Sequence, residues 1–150
     1  MIYFATDHRG FELKEKLKQF VNDELGFEVH DFGAFAYDAE DDYPDFIHKA
    51  AEAVAKNPEM EKAIILGGSG QGEAIVANRH SGVRAIVYYG SNKKIIALSR
   101  EHNDANVLSL GAMFVEETEA KEVVREWLAH PFTNEPRHMR RIKKIDGTAQ

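Results

Sequence analysis

Three stretches of this sequence concentrate groups that could do chemistry. Thr6-Asp7-His8-Arg9-Gly10 packs a carboxylate, an imidazole and a guanidinium into one short turn. Gly67-Gly68-Ser69-Gly70-Gln71-Gly72-Glu73 holds four of the chain's eleven glycines within six positions and ends on a carboxylate. Glycines there bare backbone N–H groups, and a following helix start at Ala74 to Ala77 adds positive potential, so the loop suits an anion. Its spacing is neither GxxxxGK[ST] nor a GxGxxG after the first strand, which sets it apart from the common nucleotide loops. Glu73 has two readings: a first-turn carboxylate favoured by the helix dipole, or a general base beside a bound substrate. Asp7 likewise reads as a helix cap or as part of a polar functional cluster in the loop.

A third cluster, Arg137-His138-Met139-Arg140-Arg141-Ile142-Lys143-Lys144, gathers five of the chain's 19 basic side chains in eight positions. Arg137 and Arg141 are i and i+4, on one helical face, where paired forked donors can grip a phosphate. The alternative is a solvated face, or nonspecific contact with RNA. Arg100 to Asn106, with His102 and Asn103, reads either as a helix end or as part of a site. The acidic stretch Asp38, Glu40, Asp41, Asp42 and Asp45 lacks the spacing of a calcium loop and reads as a solvated turn before Pro44. His30, His48, His80 and His130 show no i, i+4 pairing or HExxH context, so no metal ligand is assigned.

Composition narrows the chemistry. With 19 basic and 25 acidic side chains the formal charge is −6, which disfavours a general nucleic-acid surface. The 43% hydrophobic and 29% charged content is that of a globular domain, and no apolar run approaches the roughly 18 residues of a membrane helix. No basic-then-apolar leader follows Met1, so a cytoplasmic location is expected. There is no cysteine, which excludes disulfides, thiolate metal sites and a thiol base.

The elements that must position these groups alternate along the chain. Short β-branched runs predict strands at Ile2 to Ala5, Phe27 to His30, Ala63 to Leu66, Ala85 to Tyr88 and Val107 to Leu110. Helical periods lie between them: Leu13 to Leu25 stopped by Gly26, Pro44 to Val54, Ser91 to Arg100, and Ala120 to Leu128 before Pro131. No linker or repeat divides the chain, so one domain over 1–150 is expected. Such alternation predicts a parallel sheet covered on both faces, with ligands beyond the carboxyl ends of the strands.

In order and spacing the motifs resemble the type B ribose-5-phosphate isomerase family, which includes the galactose-6-phosphate isomerase subunits. The likeness runs from Asp7-His8 and Gly10-Phe11-Glu12-Leu13-Lys14 through Asp42-Tyr43-Pro44-Asp45-Phe46 and the glycine loop. It continues through Ala77-Asn78 and Arg100 to Leu108, and ends at Arg137-His138 with Arg140-Arg141. The resemblance implies a Rossmann-like, three-layer α/β/α sandwich on a five-stranded parallel sheet. It also implies a homodimer, or a dimer of dimers, whose sites are shared between subunits. The substrate would be a sugar phosphate, with no cofactor, metal, nucleic acid or membrane involved.

The implied reaction interconverts an aldose phosphate and a ketose phosphate through a cis-enediolate. Many family members place a cysteine base where this chain has Gly67. This sequence is similar to the other branch, whose loop reads GGSGxGE and whose base is the glutamate, here Glu73. By the same carry-over, Ser69 shuttles a proton, backbone N–H groups from about Gly70 to Glu73 stabilise the enediolate, and Gly68, Gly70, Gln71 and Gly72 belong to the substrate- and phosphate-binding set. Asp7 and His102 serve ring opening, and Asn103 binds substrate. His8, Arg137 and Arg141 hold the phosphate, with a C-terminal helix near 137–145 completing that end. Relatives in this branch commonly carry arginine near Met113, so Arg9, where relatives often have alanine, is a candidate for the missing guanidinium. The change could also signal another aldose phosphate of four to six carbons, such as erythrose 4-phosphate, allose 6-phosphate or galactose 6-phosphate. A non-catalytic sugar-phosphate-binding module on the same sheet is the reading from a different class.

Overall fold

The computed structural model describes residues 1–147 of the 150. Five strands form one sheet: β1 (Ile2–Thr6), β2 (Val29–Asp31), β3 (Lys62–Gly67), β4 (Ala85–Tyr88) and β5 (Val107–Gly111). All neighbours are parallel, in the order β2-β1-β3-β5-β4. Alternate strand residues feed opposite faces. Phe4, Ile64, Leu66, Leu108 and Leu110 face one layer, and Ala5, Ala63, Ile65 and Val107 face the other.

The first face is covered by α1 (Phe11–Gln19), α4 (Lys94–Asn103) and α5 (Glu117–Ala129), through Leu17, Ile96, Val123, Val124 and Trp127. The second is covered by α2 (Pro44–Lys56) and α3 (Gln71–Ala77), through Ile47, Ala50, Ala51, Val54 and Ala77. A sixth helix, α6 (Pro136–Gly147), closes the described chain. The α/β/α sandwich expected from the alternation is therefore the observed architecture. Among the described residues, no helix is long and apolar enough to cross a membrane. The domain expected over 1–150 includes 148–150, which lie outside the described residues.

Several boundaries differ from the sequence pattern: α4 starts at Lys94 and ends at Asn103, three residues later at each end than Ser91 to Arg100, with Ser91 left-handed at φ +72° ahead of it. The second strand starts two residues later than Phe27, because Phe27 is solvent-facing and pairing with β1 begins through the Ile2 N–H to Glu28 carbonyl bond. The first helix does not run as α-helix to Leu25; its last turn, Phe20–Glu24, is π-helical before Gly26 turns the chain at φ +74°.

What positions a site is the strand order. From β1 the chain moves outward to β2, then crosses back over β1 to β3, so the loops leaving β1 and β3 diverge from neighbouring strands. Parallel sheets open a crevice at such a switch point, beyond the strand ends.

Candidate active site at the sheet switch point

Thr6 and Leu66 are register partners at the ends of β1 and β3, so Asp7 and Gly67 enter their loops side by side. The Thr6 hydroxyl donates to the Leu66 carbonyl at 2.8 Å, tying the two loops at their base. Asp7 caps a 3-10 turn, His8–Gly10, by accepting the Arg9 N–H at 2.9 Å. The capping reading of Asp7 thus holds. Its carboxylate is buried and close enough for its charge to act on Glu73, so the two readings are compatible.

The glycine loop folds back over β5. Gly70 is left-handed (φ +79°), with its carbonyl accepting from the Ser109 hydroxyl at 2.7 Å and its Cα packed against Leu110 and Gly111. Helix α3 then starts at Gln71, whose N–H donates to the Ser69 hydroxyl at 3.3 Å. Glu73, in the first turn of α3, is only 4% exposed. Its carboxylate turns back onto Gly67, where a Cβ would stand 1.8 Å from Oε1. Burial pushes the Glu73 carboxyl above its ordinary range, its own N–H pulls it partly back, and the nearby charge of Asp7 raises it further. A dry carboxylate with a raised pKa is a stronger base than a solvated one.

Beside this lies an open cleft of about 870 Å³, walled by His8, Arg9, Lys16, Tyr37 and Met113 among others. The Arg9 guanidinium reaches along it to the Met113 sulfur, 3.8 Å from Nη1. Met113 also packs on Gly68. Asp41, from the acidic stretch, is not in a solvated turn: its Oδ1 accepts from both the His8 backbone N–H at 3.0 Å and the His8 ring at 2.6 Å. This residue escaped the sequence reading, because nothing local in the sequence ties positions 33 apart. Donor atoms of Asp7, His8 and Asp41 lie within 4.8 Å of one another, but Arg9 and His8 already engage both carboxylates.

The second half of the expected site is elsewhere. Helix α4 leaves the β4 end and runs back about 15 Å, so His102 and Asn103 sit at the opposite, amino-terminal edge of the sheet. There the Asn103 carbonyl accepts from Arg84 Nε at 3.0 Å, just ahead of β4, and Asp104 ends the helix in a left-handed cap. Helix α6 packs at the same edge: His138 stacks on His102 with ring centroids 4.4 Å apart and planes 20° from parallel, and Arg84 Nη1 lies 3.8 Å from Asp146. Burial, then His102 and Arg137, hold His138 below its ordinary pKa. Arg137 is exposed and pairs with Glu135 at 3.0 Å; Arg141, one turn on, is exposed too. Within one chain, then, the fold groups Asp7, His8, Arg9, Ser69 and Glu73 at one edge, and His102, Asn103, Arg137 and Arg141 at the other. The C-terminal helix does not complete the phosphate end of its own chain.

The sequence and the five-stranded parallel fold are both matched in known proteins. Residues 2–145 match the sequence profile of the Ribose/Galactose Isomerase family. This chain belongs to that family. Ribose-5-phosphate isomerase B of Mycolicibacterium paratuberculosis is 38% identical over 141 residues, 94% of this chain and 86% of that protein. Among solved structures, ribose-5-phosphate isomerase B of Mycoplasma genitalium, with bound ribulose 5-phosphate, superposes with a TM-score of 0.92 at 37% identity, covering 99% and 95% of the two chains. The Clostridium thermocellum enzyme gives 0.89 at 40% identity, with 99% and 96% covered. Family members are aldose-ketose isomerases, and the expected fold and family are both borne out.

Proposed function

We propose that this chain interconverts D-ribose 5-phosphate and D-ribulose 5-phosphate through a cis-enediolate, with Glu73 as the base. The observation that carries this reading is the Glu73 carboxylate itself, buried against Gly67 with its pKa raised, where the cysteine-using branch of the family has its base. Asp7, with His102 of a second subunit, opens the sugar ring. Glu73 takes the proton from C2, Ser69 relays a proton from O2 to O1, and Glu73 returns its proton to C1, so the product is an isomer and every group ends as it began. Backbone N–H groups from Gly70 to Glu73 meet the developing oxyanion, with Gly68 keeping the approach open. His8 and Arg9 hold the phosphate from one side, and Arg137 and Arg141 of a second subunit hold it from the other, while its Asn103 binds the sugar.

A homodimer, alone or paired into a tetramer, is part of this proposal. Two observations support it. The two groups of site residues lie at opposite edges of one chain, so a complete site needs two chains. Large apolar side chains stand exposed at Ile75 on α3, Ile95 and Leu98 on α4, and at the edge-to-face pair Tyr89 and Phe114. We place the reaction in the cytoplasm, on composition and on the phosphorylated substrate.

The test is solvent exchange. Wild type should incorporate deuterium at the reacting carbons of ribose 5-phosphate in D2O, and Glu73→Gln should bind the sugar phosphate without exchanging. Turnover retained in Glu73→Gln refutes the assignment. A panel of four- to six-carbon aldose phosphates fixes the preferred chain length.

A further inference from the structure

We propose that Asp41 is a positioning residue that orients His8 toward the substrate phosphate. One oxygen, Asp41 Oδ1, receives two hydrogen bonds from the same residue: the His8 backbone N–H at 3.0 Å and ring Nδ1 at 2.6 Å. Together they fix the backbone and the ring of His8 as a unit. With a carboxylate at Nδ1, that nitrogen carries the proton, which leaves Nε2 as the ring atom free to meet a ligand. Toward a phosphate dianion Nε2 must donate, so the ring binds as imidazolium with Asp41 as its counter-charge.

The surroundings hold this pair in place. Tyr37 sets its ring edge-on to His8, with centroids 5.8 Å apart and planes at 88°. The loop that brings both Tyr37 and Asp41 extends the β1–β2 pairing through Thr6 N–H to the Gly33 carbonyl at 2.8 Å and Ala34 N–H to the Thr6 carbonyl at 2.7 Å. The buried Lys14 ammonium adds a bond to the Ala34 carbonyl at 2.8 Å. The Asp41 side chain is itself 9% exposed, and its second oxygen, Oδ2, is buried without a hydrogen-bond partner among the described residues. Leaving a carboxylate oxygen dry is costly, and the fold carries that cost at the residue touching His8.

This inference rests on the reading that His8 holds the phosphate, and the experiment separates the two. Steady-state kinetics with ribose 5-phosphate are compared for wild type, Asp41→Ala, Asp41→Asn, His8→Ala and the His8→Ala/Asp41→Ala double variant, each checked by thermal unfolding. Asp41→Ala should raise KM by roughly 10- to 100-fold, the scale of a charge-assisted hydrogen bond, with kcat within about twofold. Asp41→Asn, which keeps an acceptor in place, should recover part of the loss and guards against a folding defect. In the His8→Ala background, Asp41→Ala should add nothing, because the partner is gone. If His8→Ala raises KM while Asp41→Ala does not, or if Asp41→Ala costs as much without His8 as with it, the positioning role is wrong and the phosphate role of His8 stands. An unchanged KM in His8→Ala overturns both.

Discussion

The Glu73 carboxylate and the Cα of Gly67 cannot be separated by a methyl group: a Cβ at position 67 would lie 1.8 Å from Oε1, 2.1 Å from Cδ and 2.5 Å from Oε2 of Glu73. A side chain at 67 and this glutamate rotamer exclude one another. Gly67→Ala should therefore displace the base and lower kcat by roughly 10²- to 10⁴-fold, the contribution of a positioned general base. Circular dichroism should report an intact fold, since the clash falls on one side chain. An alanine variant with wild-type kcat would show that the carboxylate works from another position.

Burying Glu73 has a thermodynamic sign. Its folded-state pKa is raised, so the folded state holds its proton in a window where the unfolded chain has released it, and stability falls as pH rises through that window. Glu73→Gln should thus be inactive yet more resistant to heat than wild type at pH 7. The advantage should shrink as pH falls below about 4.3, the ordinary glutamate value, where both states are protonated. Thermal melts across pH 4 to 8 measure it; a variant less stable at pH 7 contradicts the burial argument.

Separated half-sites predict complementation between inactive chains. Mixing Glu73→Gln with His102→Ala after dissociation and reassembly should restore about a quarter of wild-type activity, since half of the twofold dimers are mixed and each of those has one intact site. No recovery in a mixture shown to exchange subunits rules out sharing.

Arg9 is part of the proposed phosphate end. Its guanidinium lies 3.8 Å from the Met113 sulfur in the cleft that also includes His8. Arg9→Ala should raise KM for ribose 5-phosphate about tenfold, the scale of one charge-assisted hydrogen bond. Met113→Arg on that background should win much of it back. Unchanged kinetics in Arg9→Ala beside a severe loss in Arg137→Ala would remove Arg9 from the site.

Lys14 is fully buried, yet two carboxylates, Asp31 at 2.5 Å and Glu15 at 3.1 Å, and the Ala34 carbonyl at 2.8 Å surround its ammonium. Burial pushes Asp31 up, but Lys14 and Lys18 outweigh it and hold the carboxyl below its usual range. That stabilisation is present above the unfolded pKa of about 3.9 and is lost as pH falls. Lys14→Met leaves Asp31 with Lys18 alone and should cost about 3 kcal/mol by urea unfolding at pH 7. A loss under about 1 kcal/mol would mean that Lys18 suffices.

Most of the frame was legible because it is local. Four strand positions follow from β-branched runs, and the two-sided burial of β1, β3 and β5 follows from their continuous apolar character. The glycine loop announces its own turn. Asp41 was not legible: its acidic neighbours suggest solvation, and only the fold of the loop after β2 carries it to His8. Nor does sequence order reveal that α4 delivers His102 to the far edge of the sheet, because that depends on the direction of a crossover. His48 and His80 make the same point. They lie 32 positions apart with no shared motif, yet their ring nitrogens meet at 2.9 Å between α2 and the end of α3.

The proposed sharing of each site between two chains also bears on inheritance. A chain damaged at Glu73 alone still lends a sound His102 edge to a healthy partner. A chain damaged at both Glu73 and His102 spoils both sites of every mixed dimer it joins, so under equal expression only one dimer in four, roughly, retains any activity. The second allele is dominant over the healthy copy, while the first merely dilutes it.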